Sequence, residues 1–366
     1  MPPQPTIFQQ LYENLVSFPR LLSNKHSEPN SQSERQGRAS SEAPDSATSS
    51  GSPLPCSLPL DNARSATFTL PNGRKLGYAQ YGDLAGQPII YVHGWPGSRF
   101  EGAHLDPAAT KVGARIIAVD HPGIGWSSPQ PGRKLLDHAK DIERLTDHLG
   151  LSKYGVLGIS GGGPYALACA RGLPADKLRA VSIVCGLGSP DMGYAGMNLA
   201  SRLGWTYGFR LLPGFSAWWI GRWPEGRTDL SDEERKRLLL AQVDKAKSSM
   251  HPKDLKIWDN PDFVAVYLRS SRESFAQGAA SVVQDAAVIC TSSSWGFRIE
   301  DIRKDLPVQL WHGRFDNMVP LQHGQKVAER LGSNATLRVK DETHASISVY
   351  YKEEYLGELV ETIKDS

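Results

Sequence analysis

"VLGISGGGPYALACA" (residues 156–170) carries an apolar run into a run of small residues, with Ser160 at the join between Gly158 and the triplet Gly161, Gly162 and Gly163. The spacing Gly158-Ile159-Ser160-Gly161-Gly162 is G-x-S-x-G. Its mechanics require a strand before the serine and a helix after it, so that the hydroxyl stands exposed on a sharp turn. Residues 154–159 have the composition of a buried strand, and the Ala-rich stretch 161–171 that of a helix. A serine that only fills a hydrogen bond at a strand end needs neither the sharp turn nor so many flanking glycines. Ser160 is therefore the candidate nucleophile.

Working outward from this turn, apolar runs recur at 88–94, 114–120, 178–185, 307–313 and 335–340, separated by helix-like segments. Near-continuous apolar strands that alternate with helices predict a parallel sheet covered on both faces, with the chemistry at the strands' carboxyl ends. Upstream, "ATFTLPNGRKLGYAQYG" (66–82) predicts a hairpin turning at Asn72-Gly73. The alternation breaks between residues 187 and 300, a stretch far too long for a loop. Its patterns are helical: in "SDEERKRLLLAQVDKA", Ser231 and Glu234 stand at capping-box spacing. Residues 203–223 concentrate seven aromatic side chains, expected as cap core or as an apolar lid over a pocket. The predicted layout is an N-terminal amphipathic segment (1–22), a disordered Ser/Pro-rich linker (23–64), an α/β core (65–186 and 301–366) and a helical cap (187–300).

A serine nucleophile needs a base within hydrogen-bond reach and a third group to orient that base. Chain order Ser…Asp…His points to Asp316, three residues past Gly313 in "HGRFDNMVP". Only His323 and His344 lie beyond it. His323 falls in the helix that Pro320 opens, so His344, in "KDETHASIS" after the last strand, is the candidate base. The two backbone donors for an oxyanion are expected at Trp95, in "HGWPGSR" (93–99), and at Gly161, next to the nucleophile. "DHPGIGWSS" (120–128) is read as structural support, and His93 and His312 as structural hydrogen-bonders.

These separated motifs resemble the α/β-hydrolase superfamily, serine-nucleophile branch, from about residue 65 to 364. The resemblance implies a mostly parallel eight-stranded sheet with helices on both faces and a helical cap after the sixth strand. It also implies Ser160, Asp316 and His344 as a triad, with Trp95 and Gly161 as the oxyanion hole. Some members carry the acid after the sixth strand, which keeps Asp191 as an alternative. The "HGWPGS" loop is similar to that of epoxide hydrolases and dehalogenases, whose nucleophile is an aspartate. It is similar also to that of proline iminopeptidases, whose elbow usually has Trp where this chain has Gly161.

Composition narrows the classes further. Lys plus Arg total 41 against 39 Asp plus Glu, for a net charge of +2, so no strong field argues for nucleic acid. Cys56, Cys169, Cys185 and Cys290 show neither disulfide nor zinc spacing, which fits a reducing compartment. No signal peptide is apparent at the start, so the expected location is cytoplasmic. The stripe Ile7, Phe8, Leu11, Tyr12, Leu15, Val16 and Phe18 suggests docking on the domain or peripheral contact with a membrane. The expected activity is cleavage of small apolar carboxylic esters, thioesters or lactones through an acyl-enzyme, with no metal or organic cofactor implied. A carbon–carbon bond hydrolase and a non-catalytic ligand receptor of the same fold are the alternatives.

Overall fold

Residues 88–92 and 114–119 each hold Ile-Ile pairs, and β-branched runs of this length suit strands buried on both faces. The computed structural model describes residues 54–365. In it, eight strands form one sheet in the order β1-β2-β4-β3-β5-β6-β7-β8. They are β1 Ser65–Thr69, β2 Lys75–Gly82, β3 Gln87–Val92, β4 Ala114–Val119, β5 Tyr154–Ile159, β6 Leu178–Val184, β7 Val308–Gly313 and β8 Ala335–Lys340. β1 and β2 run antiparallel to their neighbours, and from β4 to β8 every pairing is parallel. The first hairpin turns where expected, with Gly73 in the left-handed region at φ 81°.

Alternate side chains divide the sheet between two cores. Ile90, Val92, Ile117, Val119, Val156, Val181, Val308 and Leu310 face one layer. Ile89, Tyr91, Ile116, Ala118, Leu157, Ala180 and Val184 face the other. This two-residue alternation follows from the pleat, and helices cover both faces. Helices α1 Asp106–Val112, α2 Leu135–His148 and α3 Gly163–Gly172 follow β3, β4 and β5 in turn.

Between β6 and β7 the chain is helical and contains no strand, as the sequence predicts. Its longer helices are α4 Pro213–Ile220, α5 Asp232–Ala246, α6 Pro252–Trp258, α7 Pro261–Ser274 and α8 Ala279–Cys290. The Ser231 capping box forms, with Glu234 N–H donating to Ser231 Oγ at 3.3 Å and Ser231 N–H to Glu234 Oε2 at 3.2 Å. After β7 come α9 Gln322–Leu331, then β8, α10 His344–Tyr350 and α11 Lys352–Lys364.

One boundary is corrected. Residues 54–64, expected within a disordered linker, lie on the domain. Cys56, Leu58 and Leu60 pack against the second core, Ser57 N–H donates to Asp262 Oδ1 at 2.9 Å, and residues 62–64 form a helical turn. Low average apolarity hides three apolar side chains at alternate positions, enough to hold an extended segment. The 7–18 stripe and the rest of the linker lie outside the described residues. No helix among the described residues is long and apolar enough to cross a membrane.

Candidate active site

β5 delivers Ser160 to the carboxyl edge of the sheet. Ser160 takes φ 54°, in the left-handed region that a residue with a Cβ adopts at a cost of about 1–2 kcal/mol. The turn can close only because its neighbours lack side chains. A Cβ on Gly162 would lie 2.2 Å from the Val92 carbonyl oxygen, and one on Gly161 would lie 2.8 Å from Trp95 Cβ. The strain and the close approach to β3 together thrust the Ser160 hydroxyl outward, with α3 starting immediately behind it.

Two later loops meet that hydroxyl. His344 Nε2 lies 2.9 Å from Ser160 Oγ, and His344 Nδ1 lies 2.8 Å from Asp316 Oδ2. Thr343 starts α10 with a capping box on Ser346, which fixes the His344 backbone at the first position of the helix. Asp316 has no exposed side-chain area. Its Oδ1 accepts the Met318 and Val319 amides at 3.0 and 2.8 Å, so Oδ2 is aimed at the imidazole. Burial alone would push the His344 imidazole down in pKa. The Asp316 carboxylate overrides it and holds His344 well above the ordinary histidine range. The relay is thus a hydroxyl, a base and a buried anion in sequence.

The loop after β3 closes the other side. The place a Gly161 Cβ would occupy is 2.9 Å from the Trp95 amide nitrogen, so the two residues expected to supply the backbone donors are in close contact at the elbow. Beneath them the Gly94 amide donates to Glu101 Oε2 at 2.9 Å, and burial raises the Glu101 carboxyl to about 7. The Trp95 indole N–H donates to the Val282 carbonyl of α8 at 2.8 Å. The Trp95 ring packs edge-on against Trp205 and Phe209, at 5.3 and 4.8 Å.

A family model for the alpha/beta hydrolase fold matches residues 87–349. The chain belongs to that family. A proline iminopeptidase of Xanthomonas citri is 29% identical over 274 residues, which span 67% of this chain and 79% of the relative. Among solved structures, an esterase from Exiguobacterium antarcticum superposes with a TM-score of 0.53 at 19% identity, covering 82% of this chain and 99% of its own. A putative aryl esterase from Burkholderia cenocepacia does so with a TM-score of 0.55 at 17% identity, covering 82% and 98%.

In this α/β hydrolase the alternative acid is not at the relay. Asp191 is exposed and paired with Arg330, which holds its carboxyl below the usual range. The remaining histidines near the site have structural partners. His93 Nδ1–H donates to the Gly94 carbonyl at 2.8 Å, while its Nε2 accepts the His121 amide at 3.1 Å. His312 donates from Nε2 to the Val319 carbonyl, and His323 Nδ1 accepts the Gly188 amide at 3.1 Å. Burial lowers His323 to about 4, so it stays neutral at neutral pH. A surface hollow of about 340 Å³, bordered by Ser189, Asp191, Arg298 and Arg330, holds none of the three relay residues.

Local patterns did not reveal three features. Cys185 is buried, its Sγ lies 3.9 Å from His344 Nε2 and its backbone is left-handed at φ 43°. Its place just past the end of β6 was the available signal. Burial pushes the thiol up, and Asp316 and His344 are already hydrogen-bonded to each other, so the trio reads as part of the relay rather than as a metal cradle. Arg99 is fully buried between Asp120 and Glu273, at 2.8 and 2.7 Å. Asp120 in turn accepts the Trp126 amide, which gives the 120–128 loop its supporting role. Lastly, Asp285 of α8 is buried against Arg133, Tyr165 and His121. Burial alone would raise its carboxyl, but the His121 and Arg133 side chains beside it hold it well below the usual carboxylate range.

Proposed function

We propose that this chain is a serine hydrolase that cleaves carboxylic esters with an apolar acyl part through an acyl-enzyme. The observation that carries the reading is the continuous relay Ser160–His344–Asp316, with contacts of 2.9 and 2.8 Å. Ser160 Oγ attacks the ester carbonyl as His344 Nε2 takes its proton. The Asp316 carboxylate holds the imidazole in the needed tautomer and stabilises the imidazolium. The carbonyl oxygen becomes an anion between the Trp95 and Gly161 amides. His344 then gives its proton to the leaving alcohol, and a water activated by the same imidazole hydrolyses the acyl-serine.

Similarity to a proline iminopeptidase raises aminopeptidase activity as the rival reading. Such an enzyme must hold a substrate ammonium, which calls for an uncommitted carboxylate near the serine. The buried carboxylates of the helical insertion already have partners: Glu225 binds Tyr267, Glu273 binds Arg99 and Arg269, and Asp285 binds Arg133 and Tyr165. The residues packed on Trp95 are aromatic, which favours an apolar acyl group over a cation. The test pairs fluorophosphonate labelling with turnover of p-nitrophenyl butyrate and of a prolyl arylamide. The ester reading expects labelling at Ser160, lost in Ser160→Ala, and turnover of the ester in large excess over the arylamide. Preferential turnover of the arylamide, or labelling at another serine, refutes it.

A further inference from the structure

The run that carries Trp205 has two faces. Residues 199–211 form one continuous helical stretch with a wider turn at Gly204–Gly208. Trp205 and Phe209, four residues apart, turn inward onto Trp95. Leu203, Tyr207 and Leu211, also four apart, turn outward and are 44%, 53% and 59% exposed. Leu212 breaks the stretch and α4 continues the outward face, with Phe215 59% and Trp218 51% exposed and their rings stacked at 5.6 Å. Six of the ten large apolar side chains exposed among the described residues fall within positions 203–218. Single exposed apolar residues need no explanation, but a contiguous cluster marks a surface that meets something.

Its charge identifies the partner. Between Gly193 and Pro224 the chain holds Arg202, Arg210 and Arg222 and no Asp or Glu. All three arginines are exposed. The Arg222 guanidinium sits 3.8 Å from the centre of the Trp218 ring and donates to the Trp218 carbonyl. Aliphatic side chains flanked by Trp, Tyr and Arg match the boundary between acyl chains and phosphate headgroups, where amphipathic rings and cations are both favoured. We propose that this face docks on an anionic phospholipid bilayer. Leu211, Leu212, Phe215 and Trp218 seat at the acyl boundary, and Arg202, Arg210 and Arg222 pair with headgroup phosphates. The contact is shallow and peripheral, set by buried apolar area plus charge attraction. It does not rest on the ester reading, and its test uses no substrate.

The full chain is sedimented with sucrose-loaded vesicles of phosphatidylcholine, with and without phosphatidylglycerol, at low and high salt. The wild type is expected to pellet with the anionic vesicles, less so with neutral ones or in high salt. A basic residue at an anionic surface is worth about fivefold in partitioning, so Arg202→Gln/Arg210→Gln/Arg222→Gln should lose on the order of a hundredfold. Phe215→Ser/Trp218→Ser should lose tenfold or more, and both variants should melt at the wild-type temperature because every altered side chain is exposed. Wild-type protein that ignores anionic vesicles overturns the proposal. So does binding that both variants retain, which would put the contact elsewhere in the chain. Sedimentation velocity covers the remaining occupant: a dimer abolished by Phe215→Ser/Trp218→Ser, without vesicle binding, assigns the face to a second copy and refutes the membrane.

Discussion

Replacing Asp316 by Asn tests the relay more sharply than removing the serine, because the local hydrogen bonds dictate the outcome. Oδ1 accepts two backbone amides, from Met318 and Val319, and an asparagine oxygen will keep that place. The amide nitrogen must then occupy the Oδ2 position, 2.8 Å from His344 Nδ1, and present a donor where an anion stood. Nδ1 becomes the acceptor, the ring proton moves to Nε2, and Nε2 can no longer take the Ser160 proton. The comparable substitution in a serine-protease triad costs about ten-thousand-fold in kcat, roughly 5.5 kcal/mol. A second signature follows from charge. His344 works as a base only when neutral, so activity rises with pH through its pKa, which Asp316 holds well above 6.5. Without the carboxylate the strongest upward pull on His344 is gone and burial opposes what Cys185 still adds, so the acid limb should move to lower pH even as the plateau collapses. The raised pKa acts on stability in the opposite direction. Its contribution is full below about pH 6.5 and is lost as pH rises through the folded-state value. Steady-state kinetics on p-nitrophenyl butyrate across pH, with thermal melts of both proteins, read all three. A fall of less than tenfold, or an acid limb that stays put, refutes the relay; a comparable collapse in Asp191→Asn would move the acid to the end of β6.

Three further outcomes are expected. Gly162→Ala places a Cβ 2.2 Å from the Val92 carbonyl oxygen and should cost about 1–3 kcal/mol in urea denaturation, with slower fluorophosphonate labelling; wild-type stability would mean the elbow yields more freely than its packing implies. Asp285→Ala leaves the Arg133 guanidinium buried without its carboxylate and should cost about 3–5 kcal/mol, against much less for Asp285→Asn, as read by chemical denaturation. With Trp205 and Phe209 packed on Trp95 beside the elbow, kcat/KM for p-nitrophenyl esters should rise roughly fourfold per added methylene from acetate until the space is filled, since each buried methylene is worth about 0.8 kcal/mol; a flat or falling series removes the apolar acyl preference.

The sheet was legible because its information is local. Apolar runs such as 114–119 report burial by their own composition, and a serine among glycines reports a turn. Asp316 and His344 were legible because strand ends converge at one edge of a parallel sheet, so chain order alone pairs them. Arg99 was not, since its partners Asp120 and Glu273 lie 21 and 174 positions away and nothing near any of them announces the match. Residues 54–64 escaped because a window average dilutes three anchoring side chains. The aromatic segment 203–223 was read as core or lid, yet Tyr207, Phe215 and Trp218 are exposed. Amphipathic spacing shows that a helix has two faces without saying which neighbour each face meets.

Trp95 belongs to two parts of the molecule at once. Its backbone lies against Gly161, while its indole is tied to the Val282 carbonyl of α8 and packed against Phe209. The insertion and the loop after β3 are therefore not modular. A displacement of α8 by a few tenths of an ångström is transmitted through one rigid bicyclic ring to the amide proposed as an oxyanion donor, whose value would depend on its aim. Grafting a different insertion onto this core to change substrate preference would thus alter the rate of the chemical step along with binding. Chimeras that keep the Val282 carbonyl and its contact with Trp95 should hold kcat while KM varies, and chimeras that lose it should not.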